Sequence, residues 1–160
     1  MTALELQEDL ANKISEIVKD VQTKNCQGKL VSGITTFKQK LPELVADEDN
    51  PSQFFPYAII RLEDGETADD NDPWTVATSV LFGIYDADVN NTGYKSVMEM
   101  VQKTIDHFTA TPLLNKKFRA KQEISWALQE ADPNTYPYSF GAVEILSLIH
   151  ISEPTRHSLI

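Results

Sequence analysis

Trp74-Thr75-Val76-Ala77-Thr78-Ser79-Val80-Leu81-Phe82-Gly83-Ile84-Tyr85-Asp86 is rich in β-branched and aromatic side chains. Val76, Thr78, Val80, Phe82 and Ile84 recur at every second position, so an extended chain places them on one face. That alternation predicts a long, half-buried strand. Gly83 within it predicts a bulge or the close approach of another backbone. Upstream, Tyr57-Ala58-Ile59-Ile60-Arg61-Leu62 reads as a second strand, with Pro56 fixing its start. Between the two, Glu63-Asp64-Gly65-Glu66 and Asp69-Asp70-Asn71-Asp72-Pro73 predict an exposed acidic loop.

Downstream, Tyr94, Val97, Met98, Val101, Ile105 and Phe108 follow the helical period and predict a helix over 93–110. Asn90, Asn91 or Thr92 can cap it, and Thr111-Pro112 ends it because the residue before proline is pushed out of the α region. Residues 118–129 alternate as Phe118, Ala120, Gln122, Ile124, Trp126 and Leu128. A turn at Asp132-Pro133-Asn134 and Pro137 then returns the chain as a last strand over 138–145. At the N-terminus, Leu6, Leu10, Ile14, Ile17, Val18 and Val21 predict an amphipathic helix over 3–23. Thr2 and Glu5 have capping-box spacing, and Asp9–Lys13 and Asp20–Lys24 are acid-before-base pairs one turn apart. Residues 24–54 read as a long connection, with at most a short strand or helical turn around Leu30, Val31 and Ile34.

Helix, strand, strand, helix, strand, strand is the expected order. The expected fold is therefore α+β: about four mainly antiparallel strands with two amphipathic helices packed on one face. A chain of 160 residues fits one domain.

The C-terminal string Leu146-Ser147-Leu148-Ile149-His150-Ile151-Ser152-Glu153-Pro154-Thr155-Arg156 resembles one reading frame of a transposase-type sequencing adapter. That resemblance implies a single domain over 1–145, with 146–160 a non-native tail and natural sequence ending near Ile145. Setting the tail aside removes His150 and His157 and leaves His107 as the one histidine.

The net charge of −10 argues against a stable nucleic-acid partner, which needs Lys and Arg facing phosphates. Lys116, Lys117, Arg119 and Lys121 form one short basic cluster, read as a solvated turn. No apolar run is long enough for a membrane-spanning helix, and no signal-peptide order opens the chain. Cys26 is the single cysteine, so no internal disulfide framework exists.

Chemistry-bearing patterns are sparse. His107 sits beside Phe108 near a helix end, with no nucleophile motif nearby. Cys26 lies in a polar loop between Lys24 and Lys29. No phosphate-cradling glycine loop occurs. Asp86-Ala87-Asp88-Val89-Asn90 starts like a calcium loop, but Asn91 replaces its glycine and Val97 its bidentate acid. Asp69, Asp70 and Asp72 read as a solvated loop. Asn90-Asn91-Thr92 fits a glycosylation sequon, with nothing to suggest secretion. No catalytic, cofactor-binding or metal-ligating residue is therefore assigned, and no cofactor is expected. Trp74, Trp126, Tyr136 and Tyr138 are candidates for core packing or for an oligomer interface.

Phe55-Pro56-Tyr57-Ala58-Ile59-Ile60-Arg61-Leu62 with Asp64-Gly65-Glu66 resembles the FPY-x-I-x-R-L-x-x-G-E region of small tail proteins of long-tailed bacteriophages. Ile84-Tyr85-Asp86, Gly93-Tyr94, Leu113-Leu114 and Tyr136-Pro137-Tyr138-Ser139-Phe140-Gly141 continue the resemblance across residues 1–145. The family is that of tail terminators, also described as tail-completion or minor tail proteins. It implies an α+β domain that assembles as a homo-oligomeric ring, typically hexameric, and has no catalytic step. The ring would cap the tail tube and meet the head–tail connector, placing the protein in the virion tail and, during assembly, in the host cytoplasm. Its partners would be itself, the tail tube protein and connector proteins, with no membrane and no stably bound nucleic acid. An acidic ring lining would let DNA pass by repelling phosphate. Another neck, head-completion or minor tail component is the nearest alternative. An acidic metal-binding module is the alternative from a different class.

Overall fold

Thr2 opens the first helix by accepting the Glu5 backbone N–H on its hydroxyl at 3.1 Å, which satisfies one of the donors a helix start leaves free. The computed structural model describes residues 2–44, 51–69, 71–129 and 135–149. Helix α1, Ala3–Ile17, buries Leu6, Leu10, Ala11 and Ile14 on one face. It stops six residues before the periodicity suggested. Ile17, Val18 and Val21 are β-branched and form helices poorly. Val18 and Val21 are still buried, but from the turn that follows, where the Val21 N–H bonds the Val18 carbonyl. Lys13 pairs with Glu16 and not with Asp9, and Asp20 and Lys24 no longer share a helix.

The expectation of about four strands is wrong: among the described residues the sheet has eight. Four long strands carry it. They are β4 (Tyr57–Glu66), β5 (Trp74–Tyr85), β7 (Phe118–Leu128) and β8 (Tyr138–Ile149). Four short ones extend it: β1 (Gln22–Lys24), β2 (Leu30–Ser32), β3 (Thr35–Lys38) and β6 (Leu113–Leu114). Two of these, β2 and β3, lie in the stretch read as a connection, and β1 falls where the end of the first helix was expected. Strands of two to four residues are too short to display an alternation, so pairing partners and not local pattern define them. The β1–β2 hairpin is held by Asn25, whose side-chain oxygen accepts the N–H groups of Gln27 and Lys29, with Gly28 at φ +79 closing the turn. The β3–β4 pairing is parallel and the other strand pairs are antiparallel. A single helical turn, Pro51–Phe54, precedes β4.

Val76, Thr78, Val80, Phe82 and Ile84 do face one core. The register sets Val80 opposite Ile60 on β4 and Val143 on β8. Leu6, Leu10 and Ile14 of α1 join that core, as do Val97, Met100, Val101 and Phe108 of helix α2, Gly93–Ala110. Both helices therefore cover the same face of the sheet. Between them and the sheet edge, Gln7 is buried. Its amide donates to the Ile60 carbonyl at 2.8 Å and to the Gln39 side-chain oxygen at 2.7 Å, and that oxygen also accepts the Leu62 N–H. Gln39, at φ +67, thus ends β3 and takes over its pairing with β4 through a side chain.

Strand β8 runs four residues past Ile145. Leu146 to Ile149 pair with Ala77 to Trp74, and Ser147 and Ile149 are buried on the helix face. Burial keeps alternating along them, although the polar Ser147 takes the inner face and Leu146 and Leu148 the outer one. Residues 150–160 lie outside the described residues, as do Asp132-Pro133-Asn134 and the acidic stretch Asp47–Asn50.

Gly83 marks neither a bulge nor a backbone contact. The Tyr57 ring lies across it: a Cβ built at Gly83 would stand 2.4 Å from Tyr57 Cζ and 2.8 Å from its hydroxyl. Gly83→Ala is expected to cost about 1–3 kcal/mol, the usual range for overfilling a packed site. In a Tyr57→Leu background the same change should cost much less, because the clashing ring atoms are gone. A double-mutant cycle by urea unfolding reads the difference.

Candidate functional site: an aromatic end and two open edges

The outer face of the sheet, opposite the helices, carries a second apolar cluster. Phe55, Tyr57 and Ile59 are its buried members, with Phe37, Phe54, Tyr85, Tyr138 and Phe140 packed around them. The period of two puts Tyr57 and Ile59 on this face while Ala58 and Ile60 point to the main core. Phe55 stacks on Tyr138 with centroids 4.7 Å apart and planes at 24°, and tilts against Tyr57 at 4.7 Å. Tyr85 meets Tyr138 edge-on at 6.0 Å. Burial pushes the Tyr57 phenol above its ordinary pKa.

Tyr57, Tyr85 and Tyr138 come from strands far apart in the chain, joined by the β4–β5 and β5–β8 registers, in which Tyr85 faces Tyr138. Asp86 accepts the Thr92 hydroxyl at 2.9 Å. Thr92 is the N-cap residue of α2, yet its side chain makes no capping bond and ties the helix to Asp86 instead. A Cβ at Gly93 would stand 2.5 Å from Ser139 Oγ, so the helix start sits hard against β8. The stretches Phe55–Tyr57, Tyr85–Asp86, Gly93 and Tyr136–Gly141 therefore converge on one end of the molecule. Tyr136, 43% exposed, donates its hydroxyl to the Ala87 carbonyl there.

A cleft of about 260 Å³ opens beside this end, lined by Thr23, Lys24, Tyr85, Asp86, Asp88 and Thr92 among others. The Thr23 hydroxyl is buried there with no partner among the described residues. Both Asp86 oxygens are engaged, by Thr92 and by the Asp88 N–H, and Asp88 accepts the Asn90 N–H. These are turn and tether bonds. Among the described residues no three His, Cys, Asp or Glu side chains stand close enough to hold a metal ion. Asp69 and Asp72 sit in the loop after β4, where their backbone carbonyls accept the Thr67 hydroxyl; Asp70 lies outside the described residues.

His107 packs edge-on against Phe108. Burial holds its pKa below the ordinary value, the Lys13 charge adds to that and Glu16 opposes it. Its carbonyl accepts the Thr111 N–H at the helix end. Cys26 is half-buried in the β1–β2 turn.

The lateral edges of the sheet are open in part. On one side β3 covers Tyr57 to Ile60, and Gln39 covers Leu62, leaving Glu63 to Glu66 of β4 unpaired on that side among the described residues. On the other side β6 covers Phe118 and Arg119 and the Pro112 carbonyl accepts the Ala120 N–H, leaving β7 beyond Ala120 without an outer strand partner among the described residues. Trp126 on that strand is 51% exposed, and Trp74 36%. The free edges and their charges were hard to find in sequence, because which strands lie outermost depends on strand order. No helix among the described residues is long and apolar enough to cross a membrane. No protein-family model matches this chain, and no curated protein matches it.

Proposed function

We propose that this chain is a structural virion protein of the tail-terminator kind, which acts by assembling with copies of itself into a ring at the end of a tail tube. The observation that carries the proposal is the convergence of the Phe-Pro-Tyr, Tyr-Asp, Gly and Tyr-Pro-Tyr-Ser-Phe-Gly stretches on one end of the domain. Among the scattered residues that resemble the phage family, Phe55, Tyr57, Tyr85, Tyr138 and Phe140 meet in one aromatic cluster, and Gly93 sits beside it against Ser139. Such a cluster fixes the end of an open sheet rigidly, as a shape-matched assembly needs. Open sheet edges add surfaces for neighbours. Head-to-tail contacts close into a ring when one surface fits a different surface on the next copy.

In this reading the chain performs no chemical step. It would meet the tail tube on one side of the ring and the head–tail connector on the other. An acidic ring lining would repel DNA phosphates and let the genome pass. Sedimentation velocity and negative-stain imaging of the full chain, alone and with purified tail tubes, are expected to show closed rings, with about six copies as the family resemblance implies. A chain that stays monomeric at high micromolar concentration and leaves tube ends bare would overturn the proposal.

A further inference from the structure

The open edges differ in charge. Between Arg61 and Trp74 the β4–β5 hairpin holds six acids and one base, whereas Lys116 to Lys121, at the β6–β7 edge, holds four bases and no acid. Glu63 has Arg61 at 3.9 Å and Lys117 has Glu5 at 3.6 Å. Asp64, Glu66, Asp69 and Asp72 on the hairpin, and Lys116, Arg119 and Lys121 on the far edge, have no ion pair among the described residues.

Register places these surfaces at the same height. Gly65 pairs with Val76, Val76 with Ser147, and Ser147 with Ala120, so one row crosses the sheet from the acidic hairpin to the basic edge. Three strand spacings separate them, roughly 15 Å. The sheet itself stands between, so the two surfaces cannot reach each other within one molecule. They can meet across two molecules placed side by side in the same orientation, and that contact leaves one unused surface of each kind for further copies.

We infer that the acidic β4–β5 hairpin of one copy docks on the basic β6–β7 edge of the next, and that this is the head-to-tail contact of the assembly. The inference rests on the ring reading above and names its interface. Asp64 and Glu66 face Lys116, Arg119 and Lys121 of the neighbour. Opposite charges set the orientation and reject the two symmetric alternatives, hairpin on hairpin and edge on edge, which bring like charges together. Only the directional arrangement remains, and a directional contact is what ring closure requires.

A charge swap tests this. One variant carries Lys116→Glu, Arg119→Glu and Lys121→Glu; the other carries Asp64→Lys, Glu66→Lys and Asp69→Lys. These positions are exposed, so both chains should keep the native circular dichroism spectrum and unfolding midpoint. Each alone is expected to associate at least tenfold more weakly than the unaltered chain. An equimolar mixture is expected to recover assembly, with the two variants alternating. Association of the unaltered chain should also weaken as salt rises, because exposed charges are screened. If the unaltered chain forms rings and each variant alone forms them equally well, the interface is wrong and the ring reading stands. Folded variants that fail alone and fail when mixed also overturn the interface. A monomeric unaltered chain, in solution and on tail tubes, removes the ring reading and the interface together.

Discussion

Deleting residues 146–160 is expected to lower the thermal midpoint by roughly 10 °C, a loss of about 4 kcal/mol for a chain of this size. Ile149 is 1% exposed and joins the main core, and Ser147 beside it is also buried. Burying one such isoleucine contributes about 1.5–3 kcal/mol. The cut also removes the partners of Trp74 to Ala77 on β5 and of Arg119 and Ala120 on β7, and each lost ladder bond costs about 0.5–1.5 kcal/mol. Val76 and Phe118, both buried, would meet water. Replacing Leu146 and Leu148 with threonine should cost far less, since both sit half-buried on the outer face and threonine suits a strand. Calorimetry of the shortened and substituted chains separates the two. A loss under about 1 kcal/mol on deletion would show that the strand end lies outside the cooperative core.

Phe82→Ala should be as damaging, at about 3–5 kcal/mol. Phe82 is completely buried on the central strand β5. Its cross-strand neighbours are Ala58 on one side and Gly141 on the other, so the ring fills space that small residues leave open. The site has little means of collapsing. Val97 of α2 already leans on Gly141, 2.5 Å from where a Cβ would stand. Removing the ring leaves a cavity that neither neighbour can enter, and cavity volume is what separates costly truncations from mild ones. Phe82→Leu keeps most of the volume and should cost less than half as much. Urea unfolding with an unchanged slope would report a true stability loss. A cost for Phe82→Ala near that of Phe82→Leu would mean that the core relaxes around the gap.

These residues also show what could be read without coordinates. The inward face of β5 was legible from Val76 to Ile84, because a strand with one buried face must alternate. Helix α2 was legible because its apolar stripe spans five turns. The end of α1 was not: Val18 and Val21 keep the helical spacing but are buried from a turn. Strands β1, β2, β3 and β6 left no trace of alternation; β1, β3 and β6 each exist beside a longer strand, and β2 pairs with β1 through the Asn25 turn. Gly83 predicts a bulge or a backbone contact from sequence, and both are wrong: a tyrosine ring from the neighbouring strand fills the space, which no local pattern shows.

Local periodicity, caps and turn residues determined the two helices and the four long strands, since those signals act between residues a few positions apart. Strand order, the face each aromatic occupies and the charge of each open edge were decided by tertiary structure. They depend on pairings between residues 9 to 75 positions apart, whose stability comes from burial against partners that few local windows contain.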